Sequence, residues 1–115
     1  MADAEIDLLR SSLDLLVLKA LTWAPMHGYA ISEWIESATA SSLLVEEGTL
    51  YPALHRLERR GWIASEWGVS DNNRRAKFYK LTPAGRARYR AEWTVWQRHA
   101  AAIAGALRRA GPATA

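Results

Sequence analysis

The chain has 115 residues, half of them apolar, and a formal net charge of +3, which is enough for one small domain with its own hydrophobic core. It contains no cysteine, so disulfides, thiolate metal sites and cysteine nucleophiles are excluded. The chain begins with acidic residues where a secretory signal is basic, and no apolar run reaches the roughly 18 residues of a bilayer span, so we expect a soluble cytoplasmic protein that does not enter membranes.

The charge is unevenly distributed along the chain. Residues 1–55 have a net charge of −6, whereas residues 56–90 contain ten basic and three acidic side chains. A concentrated positive surface suits DNA binding, because each phosphate that it neutralises releases counterions. A solvated basic face without a partner is the alternative interpretation of this segment.

Two helices are predicted in the first third of the chain. The first runs from about Ser12 to Trp23, with Ser11 or Ser12 as its cap, and it stops before Pro25. Its apolar stripe has helical spacing and consists of Leu13, Leu16, Val17, Ala20 and Leu21. The second helix is predicted to start near His27 and to end at about Ala38.

A third, basic helix is predicted over residues 48–60. Its apolar face repeats at i, i+4 and i+7 and consists of Leu50, Leu54 and Leu57. The opposite face is therefore free to meet a partner. Pro52 is tolerated because the helix is predicted to begin at Gly48 or Thr49, and Gly61 is the expected C′ residue.

A β-hairpin follows, with strands at residues 62–67 and 77–81 and the polar, turn-forming segment GVSDNNRRA between them. A helix followed by a two-stranded basic ribbon indicates a winged helix-turn-helix that binds DNA. We refer to residues 48–60 as the recognition helix and to residues 68–77 as the wing.

The last helix is predicted to start with Thr82 as its N-cap and Pro83 at its first position, and to end at about residue 108. Its large apolar side chains are spaced 4, 3, 4, 3 and 4 residues apart, which is typical of a coiled-coil seam that needs a partner. The expected organisation is an N-terminal extension at 1–9, a DNA-binding domain at 10–82, a dimerisation helix at 83–108 and a disordered tail at 109–115.

Three sequence blocks resemble those of the PadR family of transcriptional regulators. They are PMHGYAI at 25–31, EEGTLYPALHRLERRGWI at 46–63 and NNRRAKFYKLTPAG at 72–85. The resemblance covers about residues 10–107 and is closest to the short-tailed branch of the family, which has a single C-terminal dimerisation helix. It implies a mainly α fold with a small β-hairpin, in which a winged helix-turn-helix and one long C-terminal helix form a dimer.

The residues expected to contact DNA lie on the recognition helix and the wing. Hydroxyl and N–H groups at a helix start suit phosphate oxygens, arginine can bond two acceptors on guanine, and arginine also fits a narrow minor groove. The predicted contacts are Thr49, Tyr51, Pro52, His55, Arg56, Arg59, Asn72, Asn73, Arg74, Arg75 and Lys77.

Several of these side chains have a structural alternative. Thr49 could cap the helix, and Tyr51 could pack beneath the wing. Arg59 and Arg60 lie near the helix end, where a base favours the helix dipole, and we favour that role for Arg60.

The expected dimer interface combines the first and last helices. It consists of Leu8, Leu9, Leu15, Tyr89, Trp93, Trp96, Ala100, Ile103 and Leu107. Because some members of the family bind flat hydrophobic compounds between aromatic residues at this interface, Trp93 and Trp96 have two interpretations. They stack on a small effector or they only form interface core, and we favour the second.

We therefore expect a dimeric repressor that binds a palindromic site in double-stranded DNA and is released by a small hydrophobic molecule. The alternatives are a winged-helix module for protein interaction and a hydrophobic-drug sensor. His27, His55 and His99 lack the spacing of metal ligands, and no phosphate-binding loop or Ser-His-Asp arrangement is visible, so we expect no metal, no cofactor and no enzymatic activity.

Overall fold

The computed structural model describes the backbone of residues 3–112 and the side chains of residues 12–112. This part of the chain contains four helices and a three-stranded antiparallel sheet. The elements are α1 (Asp3–Ala20), β1 (Met26–His27), α2 (Gly28–Ala38), α3 (Glu47–Arg59), β2 (Ile63–Val69), β3 (Arg75–Leu81) and α4 (Pro83–Leu107). None of the helices in residues 3–112 combines the length and the apolar character that a bilayer span requires.

Helix α1 begins and ends earlier than the sequence pattern predicted. It starts at Asp3 instead of Ser12, because most residues from 3 to 11 favour helix and Ser12 lies inside the helix without starting it. It ends at Ala20 instead of Trp23. The backbone N–H and the hydroxyl of Thr22 both donate to the carbonyl of Lys19, at 3.0 and 2.7 Å, which tightens the chain into a turn before Pro25.

The sheet confirms the predicted hairpin and extends it in two ways. Strands β2 and β3 pair from Ile63 and Leu81 to Val69 and Arg75, so Arg75 belongs to a strand and not to the turn. The short strand β1, which was not predicted, pairs with the other edge of β3. A strand of two residues is too short to show the alternation of polar and apolar side chains by which strands are recognised in a sequence.

The core lies where α1, α2 and α3 meet the base of the hairpin, at the end away from its turn. It contains the predicted leucines of α3, which are fully buried, together with Val17 and Leu21 from α1 and Ile31 and Ile35 from α2. The sheet contributes Ile63, Tyr79 and Leu81. Because these contacts fix α3 against the hairpin, they determine how the recognition helix and the wing are oriented towards each other.

The end of α3 confirms the expected role of Gly61. This residue has a φ of +75°, a left-handed conformation that glycine adopts at little cost. The N–H groups of Gly61 and Trp62 donate to the carbonyls of Glu58 and Leu57 at 3.0 and 3.1 Å, the two hydrogen bonds of a Schellman motif. The chain therefore turns directly from the recognition helix into β2.

The start of α4 is bonded to the same turn. Thr82 is its N-cap, as predicted, and the Thr82 hydroxyl accepts from the Gly85 N–H at 3.0 Å and donates to the Gly61 carbonyl at 2.6 Å. A β-carbon at Gly85 would lie 1.8 Å from the carbonyl oxygen of Trp62. The backbone packs so closely at this point that only glycine fits. This contact holds the start of α4 against the turn that follows α3.

Candidate nucleic-acid interface

Helix α3 presents a distinct exposed face opposite its leucines. Gly48, Pro52, His55 and Arg59 are exposed and lie along the centre of this face. The helix begins at Glu47 with Glu46 as its N-cap, so the alternative that Thr49 caps it is wrong. Glu47 lies in the first turn, where its negative charge favours the helix dipole.

Tyr51 is positioned by its contact with the start of α2. A β-carbon at Gly28 would lie 2.7 Å from the Tyr51 hydroxyl oxygen and 3.0 Å from the adjacent ring carbon, so the tyrosine ring packs directly on the glycine backbone. The preceding His27 caps α2 by accepting the Ala30 N–H on Nδ1 at 3.1 Å. Tyr51 nevertheless stays 40% exposed, which leaves part of its ring free to meet a partner.

The recognition helix and the wing face each other across one groove. This groove is the feature that brings the predicted DNA contacts of the two elements together. Its helix side includes Tyr51 and His55, and its wing side includes Asn72, Arg74, Arg75 and Lys77. The acidic side chains of Glu33, Glu47 and Asp71 also line it, so the positive charge is concentrated on the wing side.

The tip of the wing is a turn held by its own hydrogen bonds. The Ser70 N–H donates to the Arg74 carbonyl at 2.8 Å, and the Asn73 N–H donates to the Ser70 carbonyl at 2.9 Å. Asn73 has a φ of +57°, which asparagine tolerates better than most residues. Asn72, Asn73 and Arg74 are all exposed there, so the turn presents polar and basic groups to solvent.

Two of the predicted DNA contacts are engaged with acidic side chains of the same chain. Arg56 donates to both carboxylate oxygens of Asp14 on α1, with Nε 3.4 Å from Oδ2. The Lys77 ammonium lies 3.8 Å from the Glu58 carboxylate on α3. Both pairs are partly exposed, so they add little to stability, but they lower the positive charge that these two bases offer to DNA.

Thr49, Pro52 and Arg56 line a second cleft, on the α1 side of the recognition helix. They therefore lie away from the groove that contains Tyr51 and His55. Arg59 is exposed in the last turn of α3. Arg60 is the C-cap residue, and its guanidinium lies 5.2 Å from the centre of the Trp62 ring, which agrees with a structural role.

Tyr79 forms part of the groove beside Lys77. Burial raises the pKa of the Tyr79 phenol, and the negative charge of Glu58 and the neighbouring Tyr51 raise it further. The shift favours the uncharged phenol, so Tyr79 adds no negative charge to this part of the groove.

Trp67 also lies in the groove and was not predicted. It is 61% exposed, and the guanidinium of Arg75 lies 4.5 Å from the centre of its ring. On β2, Trp67 continues the alternation that points Ile63 into the core. A sequence signal could have identified Trp67. It is a large apolar residue that keeps the alternation of the strand but lies beyond the residues that form the core.

A separate apolar surface follows α4. The side chains of Trp93, Trp96, Ile103 and Leu107 are between 37 and 80% exposed. Tyr89 differs, because it is half-buried and packs against the core. The predicted interface residues Leu8 and Leu9 lie outside the side chains that the structure describes.

A cleft separates α1 from the middle of α4. It is lined by Asp14, Leu15, Arg88, Ala91, Glu92, Val95, Trp96 and His99. Trp96 lines this cleft, whereas Trp93 is exposed on α4 outside it. Among residues 12–112, no three His, Asp or Glu side chains lie close enough together to hold a metal ion.

Several known proteins with a similar sequence or fold are transcriptional regulators. The sequence pattern of the Transcriptional regulator PadR-like family matches residues 17–91. A solved transcriptional regulator from Clostridium thermocellum is 31% identical with a TM-score of 0.78, over 86% of this chain and 96% of that chain. A PadR family transcription regulator from Clostridium difficile is 26% identical with a TM-score of 0.71, over 84% and 98% of the two chains. Transcriptional regulator Rv3488 of Mycobacterium tuberculosis is 56% identical over 43 residues, which are 37% of this chain and 39% of that protein.

Proposed function

Because this chain belongs to the PadR-like family of transcriptional regulators, whose members bind DNA and are not enzymes, we propose that it is a dimeric repressor of a palindromic promoter site. The observation that best supports this proposal is the shared groove of the recognition helix and the wing. Side chains from both elements line it, and its wing side is basic. A duplex that contacts one element is therefore within reach of the other.

In this proposal the exposed face of α3 enters the major groove and the wing lies over the neighbouring backbone or minor groove. His55 and Arg59 are exposed on the centre of that face and reach base edges. Arg74 and Arg75 contact phosphates or the narrow minor groove. Arg56 and Lys77 contribute less, because Asp14 and Glu58 already neutralise them.

The dimer is proposed from the exposed apolar seam of α4. Trp93, Trp96, Ile103 and Leu107 are each at least 37% exposed among the side chains of residues 12–112, and an apolar seam of this spacing is typically covered by a second helix. A second copy related by a two-fold axis covers the same surface on both chains and presents two recognition helices to one duplex. Leu8, Leu9, Leu15 and Ala100 extend this proposed interface.

Release by a small hydrophobic molecule is proposed at the cleft between α1 and α4. Trp96 offers an exposed aromatic surface there, next to the apolar Leu15 and Val95. A planar compound that stacks on Trp96 would compete with, or reshape, the packing of the two chains. Quenching of tryptophan fluorescence by planar cations, followed by loss of operator binding, would support this role.

The proposed function is tested by DNA binding. We expect the protein to bind the DNA upstream of its own gene about a thousandfold more tightly than a random duplex of equal length at the same salt concentration. Light scattering should give twice the chain mass of 12.8 kDa. Equal affinity for both duplexes would leave only nonspecific binding and would favour a protein-interaction module instead.

Gly48 provides a test of the exposed helix face. It lies in the first turn of α3, and a β-carbon added there would have no atom within 4 Å, so Gly48→Ala should leave the free energy of unfolding unchanged or raise it by up to about 1 kcal/mol. If DNA approaches this face closely, the added methyl group should weaken operator binding about five- to hundredfold. Urea unfolding and fluorescence anisotropy measure the two effects.

The matched control is Gly105→Ala on α4, where an added β-carbon also meets open space. It should leave operator affinity unchanged. If Gly48→Ala binds the operator as tightly as the wild type, DNA does not approach the start of α3 closely and the proposed docking of this helix is wrong.

A further inference from the structure

We infer that Trp67 is a positioning residue for DNA binding, which holds the Arg75 guanidinium in place over the groove between α3 and the wing. This inference rests on the proposed function, because it assigns a role within the same DNA-binding surface. Trp67 itself need not touch DNA. Its contribution is to fix the direction in which Arg75 presents its N–H groups.

The register of the hairpin places the two side chains together. Trp67 is opposite Lys77 and Val69 is opposite Arg75, so Trp67 and Arg75 are diagonal neighbours on the same face of the sheet. The guanidinium carbon of Arg75 lies 4.5 Å from the centre of the Trp67 ring, within the range of a cation–π contact. Both residues line the groove that also contains Tyr51 and His55.

The exposure of Trp67 excludes a role in the core. Its side chain is 61% exposed and lies beyond the buried part of the sheet, which ends at Ile63 and Tyr79. Its ring instead contacts the guanidinium of Arg75, which lines the groove between α3 and the wing.

Stacking suits the chemistry of arginine. The flat face of the guanidinium rests on the ring, while its N–H donors lie in the plane of the group and stay free for phosphate or base oxygens. A free arginine side chain loses much rotamer freedom when it binds, and contact with Trp67 removes part of that freedom before DNA arrives. The result is tighter binding without an additional contact to DNA.

The test compares Trp67→Ala, Trp67→Phe, Arg75→Ala and the double variant in operator binding over a series of salt concentrations. We expect Trp67→Ala to weaken binding by about two- to fivefold per wing, which is about 4- to 25-fold for a symmetric dimer. Trp67→Phe should restore most of the affinity, because phenylalanine keeps a ring under the guanidinium. The salt dependence of Trp67→Ala should shift towards that of Arg75→Ala.

The double variant distinguishes positioning from direct contact. If Trp67 acts through Arg75, then Trp67→Ala has no further effect once Arg75 is alanine. Additive losses would mean that Trp67 contacts DNA itself, and they would overturn the inference. Unchanged melting temperatures by circular dichroism confirm that the variants are folded, as expected for a residue with this exposure.

Trp23→Ala is the matched control. Trp23 is 65% exposed, and the Lys19 Nζ lies 4.6 Å from the centre of its ring. Trp23 does not line the groove. Its replacement should leave operator affinity unchanged. If the wild type binds operator and random DNA equally, the proposed function fails. If the wild type prefers the operator and Trp67→Ala binds it as tightly as the wild type does, only this inference is overturned.

Discussion

Replacing Gly85 with alanine is expected to destabilise the protein more than the same replacement at any of its other glycines. The new β-carbon would lie 1.8 Å from the Trp62 carbonyl oxygen and 3.1 Å from a methyl carbon of Leu81. The first of these is a backbone atom, so relief requires that α4 move away from the turn at Gly61. We expect a loss of about 3 kcal/mol or more in the free energy of unfolding, and a melting temperature lower by about 10 °C or more.

Thermal and urea unfolding followed by circular dichroism measure this loss at one protein concentration. Gly105→Ala is the control on the same helix, because its β-carbon meets no other atom. That variant should gain about 0.5–1 kcal/mol, as expected when alanine replaces glycine inside a helix. If Gly85→Ala and Gly105→Ala unfold alike, the close packing of α4 against Trp62 does not exist in solution.

The simultaneous change of Arg74 and Arg75 to alanine is expected to have the largest effect on DNA binding. Both side chains are exposed and line the wing side of the groove. Their removal should weaken operator binding about ten- to hundredfold near 0.1 M salt, and it should reduce the slope of log affinity against log salt by about one for each phosphate that is no longer neutralised. The melting temperature should stay the same.

The charge-matched control is the pair Arg108→Ala and Arg109→Ala, which removes two exposed arginines at the far end of α4. It changes the net charge by the same amount, away from the groove. Fluorescence anisotropy over a salt series measures both variants. If the two double variants weaken binding equally, net charge alone attracts DNA and the wing has no local role.

The elements with strong local signals were predictable from the sequence. The leucine stripe of α3, the left-handed Gly61 and the Thr82-Pro83 start of α4 each follow from a few neighbouring residues, and the structure confirms all three. The early start of α1 and the short strand β1 were not predictable in this way. The first lacks a cap signal, and the second exists only because it pairs with β3.

The candidate site was predictable in its residue types but not in its contacts. The sequence pattern placed Tyr51, Arg74 and Arg75 on a helix and a hairpin, and the fold brings these elements to one groove. It did not indicate that Asp14 would pair with Arg56, because these residues are 42 positions apart. The contacts of Gly28 with Tyr51 and of Gly85 with Trp62 also depend on distant backbone, which no local pattern encodes.

The start of α4 is hydrogen-bonded to the turn at Gly61, so a tilt of this helix at its base is amplified along its length. Its 25 residues span about 37 Å, so a rotation of about 5° at its base moves its far end by about 3 Å. In the proposed dimer the far ends of the two α4 helices are held together. The same rotation then moves the two recognition helices apart. In that dimer the crossing angle of the two α4 helices determines the distance between the half-sites that the protein can bind. A molecule that alters this angle therefore changes the fit to DNA without contacting DNA.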